Sequence, residues 1–268
     1  MDLCRLNQLV GLPVAKPDES PNSWFTRAAL SQAIAVREFL RFLYGTQHVG
    51  GDQDLAFAKK VVASETTNSL ASIPFVAELA RSATLLNEAA RAKLASDNYL
   101  LHRNGGRAYR KGIYRFCSIC LNAATAPYFK QQWRFRCMQH CPIHDCLLEE
   151  RCPGCGTEPF LPGSMVRARN STKFKISSVK SCWDCGADLT TRAPVTLDQA
   201  LGAGSPSWAL DHLRHVQERM EMLARGEPQA HPPPWPTQRT TRRVEALGTV
   251  LRSSLADFSA DSVRLRLQ

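Results

Sequence analysis

The sequence predicts a mainly α-helical chain interrupted by small β elements built around metal ligands. Three observations lead there. Four short pairs of ligand-type residues fall between Cys117 and Cys185, apolar residues recur at helical spacing on either side of that stretch, and excess positive charge is concentrated within it. The expected order is a helical N-terminal domain with a helix-turn-helix over 1–106, a double zinc-knuckle module with zinc-ribbon-like β elements over 107–194, and C-terminal helices over 195–268. With 268 residues and 44% hydrophobic side chains the chain can bury a substantial core, which excludes wholesale disorder.

Residues 1–19 carry no strong period. Ser23 then suits an N-cap for the helix that starts with Trp24 and Phe25, two rings expected to anchor it in the core. A second helix, Val36–Tyr44, repeats apolar residues at helical spacing and stops at Gly45, a natural residue to end a helix. Joined near Gln32–Ala35, the two predict a helix-turn-helix, with Arg37 and Arg41 four apart on one face of its second helix. Asp52 and Asp54 begin another helical stretch to about Ser64, and an Ala- and Leu-rich helix is expected from Pro74 to about Ala95. Gly105-Gly106 closes the helical domain. Short strands are expected at Tyr114–Phe116 and Lys175–Val179, beside the knuckles. From Ser207 to about Arg225, Trp208, Leu210, Leu213, Val216, Met220 and Leu223 share one helical face. A polyproline-like linker follows over 227–237, then a last helix from about Arg239 to Phe258 and a disordered tail.

The ligand pairs are Cys117-x-x-Cys120, Cys141-x-x-His144, Cys152-x-x-Cys155 and Cys182-x-x-Cys185. A two-residue gap lets both members of a pair reach one ion from a single tight turn, as tetrahedral Zn²⁺ requires. Two pairs make one site, so the four predict two zinc ions per chain: Cys117, Cys120, Cys141 and His144 hold one, and Cys152, Cys155, Cys182 and Cys185 the other. Gly156 and Gly186, next after their pairs, supply the positive φ that closes a knuckle. Four-ligand sites are closed, hence structural, because a catalytic zinc keeps a position for water. Cys137 and His140 form a competing pair beside Cys141 and His144; Pro142 stiffens the latter turn and favours it. Cys146 is left over, as is Cys4, expected to be a buried thiol. A disulfide framework would need an oxidising compartment, and the opening residues show no secretory pattern. No apolar run approaches the roughly 18–20 residues that span a bilayer. The chain is therefore expected to be soluble and cytoplasmic.

The net charge of +10 is unevenly spread: residues 107–194 hold 14 basic against 6 acidic side chains, while the flanking segments are each near +1. Two metallated sites lower that middle segment to about +5. Arg134 and Arg136, between pairs, and Arg167, Arg169, Lys173 and Lys175, in the loop of the second site, form a stripe suited to a phosphate backbone or an acidic protein. Arg107, Arg110, Lys111, Arg115 and Lys180 belong to the same excess; ordinary solvation of a small module is the bland alternative. Metallohydrolase HExxH, deaminase HxE…PCxxC and phosphate-binding GxxxxGK[ST] patterns are all missing, so catalysis by those routes is not expected.

The ordered set Phe116-Cys117-Ser118-Ile119-Cys120-Leu121, Trp133-Arg134-Phe135, Cys141-Pro142-Ile143-His144, Leu147, Cys152-Pro153-Gly154-Cys155-Gly156 and Cys182-Trp183-Asp184-Cys185-Gly186 resembles the TniQ family of transposon target-selection proteins, related to TnsD-type site binders. Glu19-Ser20-Pro21-Asn22-Ser23-Trp24 resembles that family's opening, and the likeness covers roughly residues 10–190. It implies a helix-turn-helix, a tryptophan-bearing strand, two zinc knuckles and no catalysis by this subunit. It also implies a nucleoprotein-associated adapter between a target-site recogniser and an AAA+ ATPase regulator of TnsC/TniB type, which recruits the transposase. The recogniser is either a CRISPR effector ribonucleoprotein or target DNA gripped directly, as by a stand-alone selector of TnsD type; a homodimer is left open. With about 74 residues after the zinc module, the dependent adapter with a CRISPR effector is favoured.

Overall fold

The computed structural model describes residues 9–44, 52–63, 79, 100–105, 109–161, 166–169, 172–175, 177–201, 207–225 and 238–265. Among the described residues three helices come first: α1 (Pro21–Ser31), α2 (Val36–Tyr44) and α3 (Gln53–Ala63). Then follow the hairpin β1 (His102–Gly105) and β2 (Tyr109–Gly112), the short α4 (Ser118–Ala123), a 3₁₀ turn (Gln131–Arg134), and the two-residue strands β3 (His140–Cys141) and β4 (Cys146–Leu147). The hairpin β5 (Val166–Arg169) and β6 (Thr172–Lys175) precedes α5 (Leu197–Leu201), α6 (Ser207–Arg225) and α7 (Gln238–Leu265). Among the described residues the architecture is mainly helical, with three separate two-stranded antiparallel sheets.

Helix α1 starts three residues before the expected position. Ser20, not Ser23, is the cap: its hydroxyl accepts from Ser23 N at 3.1 Å, and Pro21 sits where a missing N–H costs nothing. The Ser23 hydroxyl instead donates to Glu19 and accepts from Phe129 N. At the other end Ala33 adopts φ 54°, with Ile34 N bonding Ala29 O and Ala33 N bonding Leu30 O. These two bonds form a Schellman stop that turns the chain directly into α2. Val36, Phe39, Leu40 and Leu43 of α2 are buried while Arg37, Glu38 and Arg41 face solvent. Trp24 and Phe25 lie against Phe39 and Phe57 in edge-to-face contacts, so they are core anchors as expected.

That aromatic cluster is continuous with Tyr114, Phe116, Phe129, Trp133 and Phe135 at the centre, and with Leu213, Val216 and Met220 of α6 and Val244 and Leu251 of α7. One core thus spans the stretches read as separate regions, and β1 pairs with β2 across the expected boundary at 106/107. Trp133 lies in the 3₁₀ turn rather than in a strand. Near Tyr114–Phe116 the pairing is one bridge, Phe116 with Glu149, and Lys175 ends β6 instead of starting a strand to Val179. Helix α6 has the expected bounds. Helix α7 runs past Phe258 to Leu265, because the sequence after Phe258 offers no Gly or Pro to stop it. Gly45, Gly106, the linker 227–237, Cys4 and, apart from Leu79, the helix expected over 74–95 lie outside the described residues. No helix among the described residues is long and apolar enough to cross a membrane.

Candidate metal centres and basic surface

The first centre is assembled by α4 and the β3–β4 turn. Cys117 caps α4, its sulfur accepting from Cys120 N at 3.4 Å, so one helical turn presents both thiols to the same side. Cys141 ends β3, and the turn that follows, with Asp145 at φ 45°, folds His144 back over it. The His144 Nδ1 lies 3.4 Å from Cys117 Sγ, 3.2 Å from Cys120 Sγ and 3.6 Å from Cys141 Sγ, while Cys120 and Cys141 sulfurs are 3.6 Å apart.

The second centre consists of two matching knuckles. Gly156 N bonds Cys152 O and Gly186 N bonds Cys182 O, at 2.9 and 2.8 Å, with the two glycines at φ 70° and 78°. Both turns therefore need the left-handed backbone that glycine adopts without strain. Thr157 Oγ1 donates to Asp184, and Phe160 stacks edge-on against Trp183, which fixes one knuckle against the other. The Cys152–Cys185 and Cys155–Cys182 sulfurs stand 3.7 and 3.8 Å apart.

These separations fit zinc. Zn–S bonds of about 2.3 Å arranged tetrahedrally put neighbouring sulfurs about 3.75 Å apart. In each centre all four donor atoms lie within 4.8 Å of one another. The two clusters, Cys117/Cys120/Cys141/His144 and Cys152/Cys155/Cys182/Cys185, can each hold one metal ion. Crowded thiols cannot all ionise unaided. Hydrogen bonds from Cys120, Cys141 and Cys146 draw the Cys117 thiol far below its ordinary value, and the same Cys117 contact pushes Cys120 and Cys146 far above theirs. A dication at the centre removes that conflict.

The competing pair is not part of either cluster. Cys137 is fully buried, which raises its thiol to about 12, and its carbonyl accepts from Gln217 Nε2 at 2.6 Å. His140 points its Nε2 at Asp145, 3.1 Å away.

The basic residues divide. Arg37 and Arg41 are exposed one turn apart on α2. Arg167 and Arg169 lie on β5 and Lys173 and Lys175 on β6, paired in register Arg167 to Phe174 and Ala168 to Lys173. Arg136 is partly exposed and pairs with Glu245 at 2.7 Å. Arg134 does not belong with them. It is fully buried: Nη1 lies 2.9 Å from Asp52 and 2.6 Å from Asp54, and Nη2 bonds Asp52 and, at 3.2 Å, the Leu101 carbonyl. Tyr114 donates to Asp54 and lies under the guanidinium, 5.3 Å from ring centroid to Cζ. Burial raises the Asp54 carboxyl above its ordinary value despite Arg134, helped by the Asp52 charge; burial works the same way on Asp52, but there Arg134 prevails and the carboxyl falls below. Gly112 leaves room for this arrangement, since a Cβ there would stand 2.6 Å from the Arg134 Cζ. Arg115 is internal too, pairing with Glu150 and donating to the carbonyls of Arg136 and Met138. Arg27, on α1, is paired with buried Glu19.

Sequence reasoning placed Asp52 and Asp54 at a helix start but missed their pairing with Arg134, and it missed Gln217. Two acids flanking one residue at a helix start were the available signal for the first two; for Gln217 no signal existed. A family model described as TniQ matches residues 11–148, from the segment before α1 through β4 and the first centre. No curated protein matches the chain.

Proposed function

This chain belongs to the TniQ family, which carries a role in transposition targeting, and on that premise we propose that it is a non-catalytic adapter. It links a target-site recogniser, by preference a CRISPR effector ribonucleoprotein, to the AAA+ regulator of TnsC/TniB type that recruits the transposase. The observation that carries the reading is the exposed charged face of α2. Val36, Phe39, Leu40 and Leu43 commit one side of that short helix to the core, leaving Arg37 and Arg41 exposed on the other, beside Glu38, whose carboxylate accepts from Ala35 N at 3.3 Å. The metal clusters support a non-enzymatic role, because four protein donors per ion reserve no position for a substrate or an activated water.

Arg37→Glu with Arg41→Glu tests the reading. Association with the ATPase regulator or with the recogniser, assayed separately by pull-down, is expected to be lost while two metal ions and the folded state are retained. Survival of both associations and of transposition would refute an adapter role for α2. Selective loss of binding to one fixed duplex, with both protein associations intact, would favour a TnsD-type selector that reads DNA itself.

A further inference from the structure

A fifth donor stands against the first centre. The register of β3 and β4 sets Cys141 directly opposite Cys146. Side chains of directly opposed residues in an antiparallel pair lie on the same face of the ribbon, about 4.5–5.5 Å apart at Cβ. The Cys146 sulfur is 3.7 Å from Cys117 Sγ, the separation also found between Cys152 and Cys185 in the second centre. It is fully buried, whereas His144, at the tip of the turn, is only partly so. Cys146 is also held from outside the turn, bridging to Thr196 while Leu147 N bonds the Val195 carbonyl. A merely space-filling cysteine is satisfied by apolar neighbours, as Cys137 is; Cys146 presents its sulfur to a ligand sulfur at ligand spacing.

We propose that Cys146 is a reserve ligand, able to replace His144 so that the first centre holds its ion with either three sulfurs and a nitrogen or four sulfurs. In the exchange the bond from His144 Nδ1 to the metal breaks and the imidazole leaves neutral. The Cys146 thiol gives its proton to solvent and its thiolate forms the new metal–sulfur bond. Cys117, Cys120 and Cys141 stay bound throughout. The all-sulfur form selects softer ions such as Cd²⁺ over those that prefer nitrogen or oxygen. The tip of the turn, His144 with the exposed Ile143, is thereby released without loss of the ion, while Asp145 stays held by His140, Arg214 and Leu197 N and the knuckle core stays formed.

The inference rests on the zinc reading of both clusters, and the second centre serves as an internal control. Full-length wild type, His144→Ala, Cys146→Ser and the double variant are compared by elemental analysis and, after cadmium substitution, by ¹¹³Cd NMR. Wild type and both single variants are expected to retain two ions, and the double variant to lose the first-centre ion alone. In His144→Ala the first cadmium resonance should move to the all-sulfur region where the second already lies. Loss of the first ion, or aggregation, in His144→Ala to the same extent as in the double variant overturns the proposal. So does loss of that ion in Cys146→Ser, where His144 is still present. A wild-type protein with neither centre loaded would instead refute the zinc reading itself.

Discussion

Replacing Arg134 with Met separates a structural cation from a nucleic-acid contact. The side chain is fully buried and serves two carboxylates, with Asp52 and Asp54 themselves 8% and 1% exposed. Removing one partner of a buried ion pair costs about 3–5 kcal/mol, because the remaining charge is left without compensation. Here two acids would be left together, so the upper part of that range is expected. Denaturant unfolding in the presence of zinc measures the loss. The pH dependence has a definite sign. A carboxyl whose folded value is raised, as for Asp54, favours folding below the ordinary carboxylate range and loses that contribution as pH rises through the folded value. Without Arg134 both acids are pushed the same way, so the destabilisation should shrink on acidification and be greatest near neutrality. Adding Asp52→Asn and Asp54→Asn should restore most of the loss. A phosphate-contacting arginine behaves oppositely: its removal leaves stability alone and lowers the salt slope of binding by about one. A stability loss under about 1 kcal/mol, or a changed salt slope with intact stability, would refute the reasoning.

Other substitutions address the remaining parts. Cys152→Ser should eliminate one of two ions and cause aggregation, since structural zinc contributes on the order of 10 kcal/mol to such a module; a folded variant with two ions by elemental analysis would contradict the second-centre assignment. Reversing Arg167, Arg169, Lys173 and Lys175 together should weaken binding to DNA or ribonucleoprotein and flatten its salt dependence, with metal content unchanged. Unaltered affinity and slope would make these residues a solvated face. Gln217→Ala should lower stability by about 1–3 kcal/mol, because it leaves Gln139 N, His140 N and the Cys137 carbonyl without their buried partner; unfolding experiments check this directly.

What was legible in the sequence was local. A zinc knuckle supplies two donors from one turn, so the pairs at Cys117, Cys141, Cys152 and Cys182 announce themselves, and the glycines at 156 and 186 mark the backbone that closes the second centre's turns. Helix α6 was legible because its apolar period is long and unbroken. The start of α1 was half legible: Pro21 favoured Ser20 as the cap, but Ser23 directly before an aromatic pair was the louder signal. Arg134 was illegible. In sequence it is one more arginine in a basic stretch, and its partners lie about eighty positions away, brought to it only by the fold. Cys146 was set aside for the same reason, since its relation to Cys117 exists only once α4 and β4 pack together.

The path of residues 128–140 explains how the parts act as one body. Tyr128 and Lys130 bond Asp18, and Phe129 bonds Ser20 and Ser23 at the start of α1. Arg134 takes the acids at the start of α3. Arg136 reaches Glu245 on α7, and Cys137, Gln139 and His140 are bonded by Gln217 on α6. On α7, Gly248 lets Gln139 approach, since a Cβ there would stand 2.1 Å from its Oε1. Cys141, directly after this segment, is one of the four donors that can hold an ion at the first centre. Metal at that centre would therefore anchor one end of a segment to which α1, α3, α6 and α7 are all tied. Loss of the first ion should accordingly loosen contacts on both sides of the molecule, whereas loss of the second, held by its own two knuckles, should be felt locally. Hydrogen exchange on Cys141→Ser and Cys182→Ser variants reads this difference: deprotection in α1 and α6 is expected in the first and not in the second. Equal, local deprotection in both would show that the segment is held by its side-chain partners without help from the metal.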